Sequence, residues 1–98
     1  MIINVIKSYR DVVAACDKEL LGKKFEEGKF QLDVKESFYK GEETTEEKAI
    51  EIMRNMSKED STFNIVGEKS VATAIKAGVI DEISVGKIKG IPFALILL

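Results

Sequence analysis

The chain has 98 residues, 45% of them hydrophobic and 33% charged, which sets the scale of one folded domain with a core large enough to need no metal or disulfide. Its net charge of −2, from 15 basic and 17 acidic residues, lacks the basic excess of a dedicated nucleic-acid binder, although a local basic patch remains open. With no histidine, a Ser–His–Asp triad, a Cys–His pair and a His-ligated metal are excluded; one cysteine excludes an internal disulfide, a thiolate zinc site and a C-x-x-C redox pair.

Ile2 to Lys7 is apolar at 2, 3, 5 and 6 and predicts a first strand. Ser8 to Asp11 has two readings: a hairpin turn, or a capping box that starts a helix with Tyr9, Val12, Val13, Cys16 and Leu20 on one face. The β-branched pair that opens Val12-Val13-Ala14-Ala15-Cys16 favours a second strand paired with the first. Asp17 to Leu21 predicts one helical turn, capped by Asp17 and stopped by Gly22. Lys23 to Lys29 is a charged loop. Phe30 to Lys35 alternates strictly, so Phe30, Leu32 and Val34 should share a buried face. Ser37 to Glu43 is a loop that exposes Phe38 and Tyr39.

Thr44-Thr45-Glu46-Glu47 has the signature of a helix start, and the helix should run to about Met56 with Ala49, Ile50, Met53 and Met56 buried. A strand from Phe63 to Val66 then meets Gly67, and a helical pattern follows to Gly78 with Val71, Ala74 and Ile75 facing the sheet. Ile83 to Ile88 and Ile91 to Leu98 should form a hairpin around Lys89-Gly90, with Pro92 marking an edge position or a strand that starts just beyond it. The fold class is α+β: one domain over 1–98, with a mixed, mostly antiparallel sheet of about five or six strands and two main helices.

The Gly67 junction is the foremost candidate site. Free N–H groups at residues 68–70 can seat an anion or a carbonyl, with Glu68, Lys69 and Ser70 around it. The same join is ordinary scaffolding in α/β folds. It is no phosphate loop, which requires G-x-x-x-x-G-K-[ST]: Thr62 stands where the first glycine belongs, and Glu68 would repel phosphate. Cys16 beside Asp17 could be a reactive thiol or an inert buried one. Lys23, Lys24 and Phe25, followed by Lys29 and extended by Tyr39 and Lys40, form a candidate nucleic-acid surface or a solvated loop. The carboxylates of Glu42, Glu43, Glu46 and Glu47 fit no calcium-loop spacing and suit the helix dipole instead.

No metal, cofactor or catalytic residue is implied. The one cysteine and an N-terminus unlike a signal peptide point to the cytoplasm. The apolar run at Ile91–Leu98 is far short of the roughly 20 residues of a membrane span, so no membrane is expected. That strand is apolar on both faces. It should lie centrally in the sheet, or join a second copy in a homodimer.

Three blocks, Ala14 to Lys23, Phe38 to Glu42 and Asn64 to Val71 with Ala74, Ile75 and Gly78, together resemble a small archaeal family classed as domain of unknown function 424. The closing Gly90-Ile91-Pro92 is also similar, and the likeness covers nearly the whole chain. The resemblance implies an archaeal cytoplasmic protein with no assigned reaction and, loosely, an association with translation. It carries over no catalytic residue. The leading expectation is a non-enzymatic binding module for a protein or RNA partner. The alternatives are an anion or metabolite binder or enzyme that uses the Gly67 junction, with Asp17 as acid or base, and a structural homo-oligomer subunit.

Overall fold

The computed structural model describes residues 1–97; the last residue of the expected C-terminal strand, at 98, lies outside it. Strands β1 (Ile2–Ile6) and β2 (Val12–Cys16) pair antiparallel, Ile2 opposite Cys16 and Ile6 opposite Val12. The strand reading of residues 12–16 therefore holds. Ser8 and Asp11 do interact as a capping pair would, the Ser8 N–H donating to Asp11 Oδ1 at 3.3 Å, but they do so inside the hairpin turn. There the carboxylate also pairs with Lys7 at 3.2 Å. A local side-chain bond that fits a helix start fits a turn equally well.

β6 (Thr62–Val66) lies parallel to β2, with Cys16 opposite Val66. β8 (Ile91–Leu97) runs antiparallel to β6 and carries β7 (Gly86–Ile88) on its outer side. β5 (Glu42–Glu43) closes the other end against Ile2 and Ile3. The sheet has six strands in the order β5-β1-β2-β6-β8-β7, and β2–β6 is the parallel pair within it. A Cβ on Gly41 would lie 2.1 Å from the Ile3 carbonyl oxygen, so glycine is what lets the chain enter β5 at this spacing.

Both faces of the sheet are covered. Helices α2 (Glu46–Ser57) and α3 (Glu68–Ala77) pack on one face, over Ile3, Val13, Ala15, Phe63, Ile65 and Ala94. Phe63 and Met53 are fully buried there, each stabilising the fold by about 1.5–3 kcal/mol through removal from water. Thr45 caps α2, its Oγ1 accepting the Lys48 N–H at 3.2 Å, and α3 ends on Gly78 in the left-handed conformation. The opposite face buries Ile2, Ala14, Cys16 and Val66 under a short 3₁₀ turn at Lys18–Leu20, the four-residue helix α1 (Glu36–Tyr39) and a separate hairpin. Strand β2 is covered on both sides, and its two alanines leave room for the layers to close.

That hairpin corrects the sequence reading. Residues expected in a charged loop form β3 (Lys24–Glu27), which turns at Gly28-Lys29 into β4 (Phe30–Asp33). Leu32 and Val34 are buried as the alternation requires, but Phe30 is 71% exposed. It sits at the turn end opposite Glu27, past the part of the hairpin that reaches the core. Periodicity identifies a face, but not how far a neighbouring layer extends over it. Phe38 and Tyr39 are a second correction: α1 folds both inward, Tyr39 to 7% exposure, with their rings edge-on at 5.0 Å.

Pro92 is a third. It lies inside the sheet, opposite Gly67, and its carbonyl accepts the Gly67 N–H at 2.9 Å. A ladder would ask Pro92 to return a bond to the Gly67 carbonyl, but that oxygen already accepts from Val71 N–H in α3. The missing proline donor is therefore not needed. Before β7, Glu82–Ser84 coils into a 3₁₀ turn, so the expected strand from Ile83 shortens to Gly86–Ile88.

Chemical denaturation separates the two leucine-face residues. Leu32→Ala should lower stability by about 2–5 kcal/mol, whereas Phe30→Ala should stay within about 0.5 kcal/mol of the parent.

Candidate functional site

β2 and β6 run side by side and end together, which places Asp17 next to Gly67. The Asp17 N–H continues the ladder by donating to the Val66 carbonyl at 3.0 Å. Its side chain turns to the start of α3. Oδ2 accepts the Lys69 N–H at 3.1 Å, and Oδ1 accepts both the Ser70 N–H and the Ser70 hydroxyl at 2.8 Å. Asp17 is 4% exposed and Ser70 is fully buried. The Gly67 junction thus holds an anion, and that anion is the chain's own carboxylate. Negative charge on unsatisfied N–H groups at a helix start is favoured by the hydrogen bonds and by the helix dipole together.

Gly67 fits this arrangement twice over. Its φ of +109° is a conformation that side chains rarely adopt, and a Cβ there would stand 2.3 Å from Asp17 Cγ and 2.6 Å from each carboxylate oxygen. The turn from strand to helix and the seat of the carboxylate share one position without a side chain.

A cleft of about 170 Å³ opens beside this cap, bounded by Glu19, Glu68, Lys69, Gly90 and Pro92. It is smaller than the ~300–1,000 Å³ of usual ligand pockets. Of its exposed charges, Glu19 and Glu68 are negative and Lys69 is positive. A second anion would meet two carboxylates and find the amides of 69 and 70 already engaged.

The remaining sequence candidates do not all converge. Asp17, Gly67, Lys69 and Ser70 meet at the cap, and exposed Glu68 begins the helix beside them. Cys16 and Tyr39 share the buried cluster on the hairpin side of the sheet. Burial pushes the Cys16 thiol up to about 11, with the Asp17 charge adding to it, so the neutral thiol prevails at neutral pH. The Tyr39 phenol is pushed up to about 12, first by burial and then by Cys16 and Asp33. Lys23 is exposed and apart from the cap; its carbonyl accepts the Val34 N–H at 2.9 Å. Glu43 pairs with Lys18 at 3.0 Å and Glu46 with Lys76 at 2.5 Å. The sequence reading assigned Asp17 to its own turn and missed that it caps α3. The available signal was a helix opening on glycine with no side-chain cap of its own.

Asp17→Ala should cost about 2–4 kcal/mol in denaturant unfolding, from a lost cap and two orphaned amides. Gly67→Ala should be strongly destabilising alone but less so in the Asp17→Ala background, because the clash partner is gone. The double-mutant cycle should report a coupling of about 0.5–3 kcal/mol. Alkaline titration gives a further check. Cys16 and Tyr39 hold their protons more tightly folded than unfolded, so native protein binds more protons above their ordinary values of 9.0 and 10.0. Their contribution to stability is full below pH 9 and lost as pH climbs through about 11 and 12, so the melting temperature should fall across that window.

Comparison with known proteins agrees with this architecture. An uncharacterized conserved protein from Methanopyrus kandleri has a solved structure that superposes with a TM-score of 0.87, at 24% sequence identity, over 97% of this chain and 88% of that one. At that identity the likeness concerns the fold. No functionally curated protein matches the chain. The family profile described as "Protein of unknown function (DUF424)" matches residues 6–98, in keeping with the blocks at 14–23, 38–42 and 64–71, and the chain belongs to this family.

Proposed function

We infer that the chain is a non-enzymatic binding module that contacts structured RNA through the β3–β4 hairpin and the adjoining β7–β8 turn. The observation that carries this reading is Phe30, a large aromatic side chain 71% exposed at the hairpin end. Lys29 precedes it in the turn. The Lys89 N–H donates to Glu27 Oε1 at 2.9 Å, which ties the two turns together and brings Lys89 beside the hairpin. Lys24, Lys29 and Lys89 are all exposed. An aromatic face among lysines suits an unstacked base flanked by phosphates. Glu26 is held against Lys24 at 3.8 Å, and Glu27 is engaged with the turn amide. The enzyme or metabolite reading draws no support from the Gly67 junction, where Asp17 takes the amides a ligand would need. A reducing cytoplasm suits a chain with one free, buried cysteine.

Fluorescence anisotropy with transfer RNA and ribosomal RNA fragments tests the reading. Affinity should fall steeply with salt, and Lys29→Ala and Lys89→Ala should each lower the salt slope by about 1. Phe30→Ala should weaken binding by about 1–3 kcal/mol at constant salt. Absence of binding at low salt, or binding indifferent to all three variants, would overturn it.

A further inference from the structure

Two turns meet at the hairpin end, and each is two residues long. Glu27 pairs with Phe30 across Gly28-Lys29, and Ile88 pairs with Ile91 across Lys89-Gly90. The twist of paired strands favours positive φ in such short loops, a conformation that suits glycine and asparagine. The first turn follows that chemistry: Gly28 takes φ +60°, and Lys29 takes no positive φ. The second does not. Gly90 has φ +76°, but Lys89 before it has φ +53°, and it is the one non-glycine with positive φ among the described residues. Asn-Gly is the pair that a turn of this kind prefers. Lysine weakens the turn, and the fold makes no evident use of its side chain, which is exposed and forms no ion pair among the described residues.

Support for that conformation comes from outside the turn. The Lys89 N–H donates to Glu27 Oε1, a partner 62 residues away in sequence. Glu27 is the last residue of β3, directly opposite Phe30 and next to Gly28-Lys29. One carboxylate therefore belongs to the strand end that carries Lys29 and Phe30, and also grips the backbone of Lys89. By charge alone it is misplaced, because a surface carboxylate repels phosphate. Its hydrogen bond has the opposite consequence for Lys89.

We propose that Glu27 is a positioning residue of the RNA contact, and that Lys89 occupies a strained turn position because its ammonium serves phosphate; both rest on the reading that this end of the molecule binds RNA. Strained backbone gathers at functional positions, where the surrounding structure holds it in place. Glu27 fastens the β7–β8 turn to the hairpin, so Lys29 and Lys89 keep a set spacing beside Phe30. A lysine whose backbone is already fixed loses less freedom on meeting a phosphate than one on a loose turn. The carboxylate thus strengthens the binding of a polyanion that its charge opposes. The two effects are separable, because alanine removes the charge and the hydrogen bond, whereas glutamine removes the charge and keeps an acceptor.

Glu27→Ala and Glu27→Gln have equal charge and change an exposed position, so both should keep the circular dichroism of the parent. In anisotropy with the same RNAs at constant salt, Glu27→Ala should bind about two- to tenfold more weakly than Glu27→Gln, the range of one hydrogen bond. Glu27→Gln should bind at least as tightly as the parent. Amide exchange followed by NMR should be faster at Lys89 in Glu27→Ala than in Glu27→Gln. Lys89→Asn should raise the melting temperature and weaken RNA binding, two changes that a purely structural lysine would not combine. A parent that binds no RNA, or binds it regardless of Phe30→Ala and Lys29→Ala, overturns the RNA reading and this proposal with it. A parent that binds through Phe30 and Lys29 overturns this proposal alone if the two Glu27 variants match in affinity or in Lys89 exchange. The same holds if Lys89→Asn melts no higher than the parent or binds as tightly.

Discussion

The carboxylate of Asp17 on the first amides of α3 is the interaction around which the architecture is arranged. It joins the end of one central strand to the start of the helix that follows the next. Several features make sense only with it in place. Gly67 must lack a side chain, β2 and β6 must end level, and Ser70 must turn its hydroxyl inward. Pro92 fits because the Gly67 carbonyl has left the sheet for the helix. A buried carboxylate is costly without partners, and here three donors converge on it.

Much of this was legible in the residues. Val12-Val13 identified β2 against a plausible helical alternative, and Thr62–Val66, Gly67 and Gly78 bounded the βα unit closely. What was not legible depends on layers meeting across the chain. Phe30 belongs to the apolar face by alternation, and only the reach of the hairpin over the sheet decides that it stays exposed. Tyr39 looked exposed because it follows a polar segment, yet one turn of helix folds it inward. The Asp17 cap spans most of the chain, and local pattern could indicate no more than a glycine-started helix in need of a partner.

The same geometry reorganises the functional question. Groups that suggest chemistry in the sequence, the thiol of Cys16, the phenol of Tyr39 and the carboxylate of Asp17, are all buried and tied to the scaffold. Among the described residues, the large apolar side chains that reach solvent are Tyr9, Phe30, Ile83 and Leu95. Among the described residues no helix is long and apolar enough to cross a membrane.

The cap also bears on how the chain reaches this state. Asp17 and the amides it serves are 52 and 53 residues apart in sequence, and the parallel β2–β6 pair beneath them is just as remote. The α2 segment, with its own Thr45 cap, can find its conformation locally. α3 cannot: its first turn stays without an acceptor until a loop of that length has closed, and closure entropy must be met before any of the three bonds is gained. Residues 17 and 67–70 therefore consolidate only once both central strands are side by side. The helix start that resembled a docking point for a ligand serves instead as the latch that registers completion of the sheet.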